Sequence, residues 1–150
     1  MKMKPSETQI EAFLREVDCD FPTSLSQKQN LRDFSIKLSE KATLCCAWSR
    51  DEISAMVAGY TENLIDNIAY ISVVATRSAF RGQGLAAKLI GDFLEICREK
   101  QVSAVHLYVV PSNTIAFRLY ERLGFVRWDC PGEQRPGDIH MISYIESELK

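Results

Sequence analysis

Long apolar runs are missing from this chain: none approaches the roughly 20 residues that a membrane-spanning helix needs. An excess of one charge is missing too. Eighteen lysines and arginines face 20 aspartates and glutamates, for a formal net charge of −2, and the basic residues are scattered. That balance argues against nucleic acid or an anionic membrane as partner. Glycine and proline are sparse, at 7 and 5, and no linker or low-complexity tract is visible. The five cysteines, Cys19, Cys45, Cys46, Cys97 and Cys130, are odd in number and form no C-x-x-C pair. Reduced, mostly buried thiols are expected, and no disulfide framework. The only histidines, His106 and His140, lie far in sequence from any cysteine pair, so no metal site is expected. The stretch from Met1 to Glu7 has no apolar core behind its charges, so it is not read as a secretory signal. A cytoplasmic location is the expectation.

What is present is the material of one soluble domain: 150 residues, 46% hydrophobic and 25% charged. Its most informative stretch is Arg81-Gly82-Gln83-Gly84-Leu85-Ala86. It separates a strand-like run, Ala69 to Thr76, from a helix-like run, Leu85 to Glu99. A helix start leaves backbone N–H groups unpartnered and carries partial positive charge. Gly82 and Gly84 add no side chain, so an anion such as a diphosphate could approach that backbone. A plain glycine turn between strand and helix is the better account of the glycine pair taken alone.

Three nucleotide-site patterns compete for these glycines. The phosphate loop G-x-x-x-x-G-K-[ST], counted from Gly82, keeps only Lys88 of its last three places. The dinucleotide fingerprint G-x-G-x-x-[GA] is matched by Gly82, Gly84 and Ala87. However, Arg77 to Arg81 intervene after the strand, and the next strand, Val102 to Val110, has no carboxylate. The third pattern, [RQ]-x-x-G-x-[GA], is matched by Arg81, Gly84 and Ala86. A second signature follows one helix and one strand later: N-x-x-A-x-x-x-Y-x-x-x-G-F, filled by Asn113, Ala116, Tyr120, Gly124 and Phe125.

With both signatures in this order, the chain resembles the GNAT N-acetyltransferase superfamily over roughly Ile53 to Phe125. The resemblance implies acetyl-CoA as cosubstrate and coenzyme A as product. It implies that the pyrophosphate sits on the backbone of Gly82, Gln83, Gly84, Leu85 and Ala86, with Arg81 opening the loop. Val74, Ala75 and Thr76 would pair with the pantetheine arm like an added strand. Asn113 and Phe117 would border that arm, and Tyr120 would give a proton to the departing thiolate. A phenol of ordinary pKa about 10 is a workable donor beside a thiol of about 8.5. Asn113 as a helix cap and Tyr120 as a core aromatic are the plain structural readings of the same residues.

The family's usual general base is not in place. Where the second strand often reads L-E-V, this chain has Leu107-Tyr108-Val109. Glu62, Asp66, His106 or a bridging water are the alternatives. The acceptor is expected to be a primary amine of a small metabolite, since Leu25 to Ala42 faintly resembles GNAT proteins of surface-polysaccharide synthesis. A protein N-acetyltransferase and a non-catalytic acyl-CoA-binding module are the other readings. A homodimer is compatible with all three.

Periodicity gives a coarse architecture. Helices are expected over Ser6 to Val17, Ser26 to Lys41, Leu85 to Glu99 and after Asn113. Strands are expected over Thr43 to Trp48, Ile53 to Tyr60, Ile68 to Thr76, Val102 to Val110, Phe125 to Cys130 and Asp138 to Ile145. The fold class is α+β: a mixed, GNAT-like sheet with an antiparallel N-terminal meander joined to a parallel pair, and helices on both faces.

Overall fold

A computed structural model describes residues 4–21, 26, 29–129 and 137–145. Helix α1 (Glu7–Val17) starts at a closed capping box. The Gln9 amide donates to Ser6 Oγ at 3.1 Å, and the Ser6 amide to Gln9 Oε1 at 2.9 Å. Its buried stripe is Ile10, Phe13, Leu14 and Val17, as the spacing predicts. The helix expected over Ser26 to Lys41 is interrupted: Ser26 is helical, Gln29 and Asn30 are not, and α2 spans Leu31–Lys41. Asn30 caps it by accepting from the Asp33 amide at 3.0 Å. Ser26 is tied back to Asp18, whose carboxylate accepts from its amide at 2.8 Å and its hydroxyl at 2.6 Å.

Strands β1 (Thr43–Ser49), β2 (Glu52–Tyr60) and β3 (Ile68–Thr76) form the antiparallel meander. Helix α3 (Leu85–Glu99) then carries the chain to β4 (Ala104–Val109), which pairs parallel to β3. Helix α4 (Thr114–Arg122) leads to β5 (Val126–Arg127) and β6 (Ile139–Tyr144), and the sheet order is β1-β2-β3-β4-β6-β5. The final strands are shorter than expected. Cys130 and residues 131–136 of the loop read between them lie outside the described residues.

The sheet buries both faces. Leu89, Ile90, Phe93 and Cys97 of α3 pack on Ala55, Val57, Ala69, Ile71, Val105 and Leu107. On the other face, α1 and α2 pack on Ile53, Met56, Ala58 and Val73. Side chains two apart on a regular strand share a face, yet Ile71 and Val73 lie on opposite ones. The register explains this: Ala58 pairs with Val73 but Gly59 with Ile71, so Ser72 is an extra residue in β3. This bulge turns the strand over.

The bulge falls where β3 leaves β4. Their parallel pairing runs only through Ile68↔Ala104, Ala69↔Val105 and Tyr70↔His106. Past Tyr70 the β4-facing edge of β3 is unpaired, while its other edge stays bonded to β2. Gly59 makes the bend possible. A Cβ there would meet the Tyr70 carbonyl oxygen at 2.4 Å and the Phe93 ring at 2.6 Å. Gly59→Ala is therefore expected to cost about 1–3 kcal/mol of stability through overpacking, measured by urea denaturation. An unchanged midpoint would show that the bend does not depend on this contact.

Candidate active site

The α-helices given above begin in two different ways. Helices α1, α2 and α4 each have a side chain over their first amides: Ser6, Asn30 and Asn113. Helix α3 starts at Gly84, which has no side chain to cap it, and its first turn has no acidic residue. The first α-helical bond is Lys88 N–H to the Gly84 carbonyl at 3.1 Å. The amides of Leu85, Ala86 and Ala87 thus point out of the helix end, where an anion is stabilised. Gly82 and Gly84 hold φ of +81° and +76°, and a Cβ on either would meet nothing within 4 Å. The space in front of the loop is open.

Arg81 links this loop to two neighbours. Its Nε donates to the Thr76 carbonyl at 3.1 Å, fixing the loop on the end of β3. Its guanidinium also donates to Asp20 Oδ2 at 2.5 Å, just past α1. Beside the loop runs the free edge of β3. Val74 leans toward the α3 core and Ala75 toward the α1–α2 core, and Thr76 ends the strand.

Helix α4 sets Ala116, Phe117 and Tyr120 against the same core as α3. Asn113 Oδ1 accepts from the Ala116 amide at 3.2 Å, so Asn113 is the cap its type suggests. Phe117, one turn on, is half-buried, with the Arg127 guanidinium 5.0 Å from its ring centre. Tyr120 is 7% exposed and its ring lies 5.9 Å from that of Phe125. Burial pushes its phenol up to about 12, so it holds its proton at neutral pH.

An uncapped helix start and a parallel pair that opens beside it are the two halves of one groove. A family profile described as the acetyltransferase (GNAT) family matches residues 10–125. The chain belongs to the GNAT acetyltransferase family. A mycothiol acetyltransferase of Streptosporangium roseum is 45% identical over 62 residues, 41% of this chain and 18% of that protein. N-alpha-acetyltransferase 30 of Schizosaccharomyces pombe is 36% identical over 59 residues, 39% of each chain. The chain thus spans about a fifth of the length of the mycothiol acetyltransferases it matches. The crystal structure of PaiA N-acetyltransferase from Thermoplasma acidophilum, in complex with coenzyme A, superposes with a TM-score of 0.72 at 16% identity. It covers 95% of this chain and 96% of that one.

Within this GNAT fold the three side chains considered as a base separate by place. Glu62 lies 3.4 Å from Lys100 Nζ, at the C-terminal end of α3. That helix has 15 residues, so Glu62 is about 20 Å from the glycine loop. Asp66 sits in the turn before β3, at the same far end. Both loop carboxylates are thereby removed as direct bases. A depression of about 420 Å³ at this end, lined by Glu62, Asn67 and Lys100, is equally remote from the groove.

His106 is placed differently. It projects from β4 on the face opposite Tyr120, together with Tyr108. Across to β6, its Nδ1 lies 2.7 Å from His140 Nε2. The sequence reading singled out His106 but not His140. The two are 34 residues apart, and only the β4–β6 register, Tyr108↔His140 and His106↔Ile142, brings them together. Among the described residues, no cluster of three or more His, Cys, Asp or Glu could hold a metal ion.

Proposed function

We propose that this protein is an acetyl-CoA-dependent N-acetyltransferase that moves the acetyl group directly to a primary amine of a small metabolite. One observation carries the reading. The uncapped start of α3 stands beside the free edge of β3, and the Tyr120 phenol is buried in the core that α3 shares. The helix start takes the pyrophosphate through the amides from Gly82 to Ala86, with Arg81 beside it. The edge of Val74, Ala75 and Thr76 offers unpaired backbone groups to the amide-containing pantetheine arm. Asn113 and Phe117 flank the arm, and Tyr120 faces the departing sulfur. Direct transfer suits this site, because β3 and β4 part after Tyr70 and His106 and the amine can meet the thioester from the side opposite Tyr120.

Two kinds of relative match comparable stretches of the chain, and their names differ in the acceptor. A protein amino terminus is therefore the second reading, favoured by the N-alpha-acetyltransferase matches. Thiol release from acetyl-CoA, followed with glucosamine, spermidine, phenylethylamine and a short peptide with a free amino terminus, separates the two. Turnover with a small amine is expected. Turnover with the peptide alone would move the acceptor to proteins. Tight acetyl-CoA binding without turnover would leave a binding module.

A further inference from the structure

The groove between β3 and β4 meets different chemistry on its two sides. Toward α3 and α4 stands Tyr120. On the other side stand Tyr70, His106, Tyr108 and His140, joined by ring contacts of 4.3–6.2 Å. Tyr70↔His106 is the last pair before the strands part, so His106 stands at the root of the opening. Tyr108, two residues on, stacks against His140 at 4.3 Å and 11°. Acylating an amine requires that its nitrogen lose a proton, and neither β3 nor β4 carries a carboxylate to receive it.

We propose that the hydrogen-bonded pair His106–His140 is the proton acceptor for the incoming amine. The proposal rests on the transferase reading above and assigns the role that reading left open. In the step, the amine nitrogen attacks the thioester carbonyl. The C–N bond forms, and the C–S bond breaks with its electron pair leaving on sulfur. The proton on nitrogen passes to an imidazole nitrogen of the pair and later to water. The sulfur receives its proton from the Tyr120 side.

Three features of the pair fit this task. The 2.7 Å contact makes one ring donor and the other acceptor, so an added proton is shared between two rings. Among the groups facing the pair are Tyr70 from β3, Tyr108 from β4 and Trp128 beyond β5. They are uncharged aromatics, whose faces stabilise a transient imidazolium without holding it permanently. Burial foremost, and His140 second, bring His106 down to about 4. His106 therefore enters the step unprotonated at neutral pH. The nitrogen becomes acidic only as the C–N bond forms, which is when a weak base suffices.

The test uses His106→Gln and His140→Gln in the whole protein, with the four amines named above. Acetyl-CoA affinity, measured by calorimetry, should stay within about twofold. At pH 7 kcat should fall by about 10²-fold, the typical contribution of a base. The deficit should shrink toward pH 10, where hydroxide competes as acceptor of the proton from the attacking nitrogen, and added imidazole should restore part of the rate. A uniform loss at every pH, without rescue by imidazole, would make the pair structural and overturn the proposal. So would wild-type rates in both folded variants. Should either variant fail to fold, His106→Asn and the wild-type pH profile decide in its place. Absence of turnover by the wild-type protein with all four amines would overturn the transferase reading and this proposal together.

Discussion

Tyr120→Phe is expected to lower turnover by about 10²-fold while leaving acetyl-CoA affinity and folding nearly unchanged. The ring of Tyr120 belongs to the core, 5.9 Å from Phe125, and phenylalanine keeps it. Only the hydroxyl is lost. Its pKa of about 12 matters to what it can do. Passing a proton from there to a thiolate of ordinary pKa about 8.5 is uphill by roughly 5 kcal/mol. The hydroxyl therefore acts first as a hydrogen-bond donor to the charge growing on sulfur, and the proton follows as the product leaves. Losing one such donor typically costs about 10²–10³ in rate. Single-turnover measurements, which isolate the chemical step, are the check. A Tyr120→Phe protein that matches the wild type there would reduce Tyr120 to a core aromatic.

Much of this groove was legible in the sequence, for a physical reason. A loop that must bring bare backbone to an anion needs glycine at fixed places, and Gly82 and Gly84 occupy them with positive φ. Helix α3 follows from Leu85, Leu89, Phe93 and Ile96, and its predicted bounds, Leu85 to Glu99, are those observed. The stretch read as one helix from Ser26 is helical at Ser26 but breaks at Gln29 and Asn30, and Asn30 caps the helix that resumes at Leu31.

The features that sequence could not give depend on pairing between distant segments. Ser72 looks like any strand residue, and only the register against Gly59 shows it to be the extra one. Glu62 and Asp66 looked suitable by charge and by nearness to β3 in sequence. They precede that strand, whereas the glycine loop follows it, and a nine-residue strand keeps its two ends about 25 Å apart. His140 carried no local signal at all. Its partner is fixed by β6 lying beside β4, across 34 residues that no local pattern spans.

Gly84→Val is expected to weaken acetyl-CoA binding tenfold or more, equal to at least about 1.4 kcal/mol. The valine would not clash inside the protein, since nothing lies within 4 Å of its Cβ position. It would stand instead in the open space before the α3 amides, where the pyrophosphate must come. A second cost arises because Gly84 holds φ +76°, ψ 16°, a left-handed conformation that a β-branched residue adopts only under strain. That strain should remove about 1–2 kcal/mol of folding stability, so the two effects must be told apart. Gly84→Ala separates them: it pays most of the backbone strain while adding one methyl group to the path of the phosphates. Calorimetric titration of acetyl-CoA against both folded variants should then show a graded loss, small for alanine and large for valine. Equal affinity in the wild type and in a folded Gly84→Val protein would place the pyrophosphate elsewhere. The assignment of Arg81 to Ala86 as the anchoring loop would fall with it.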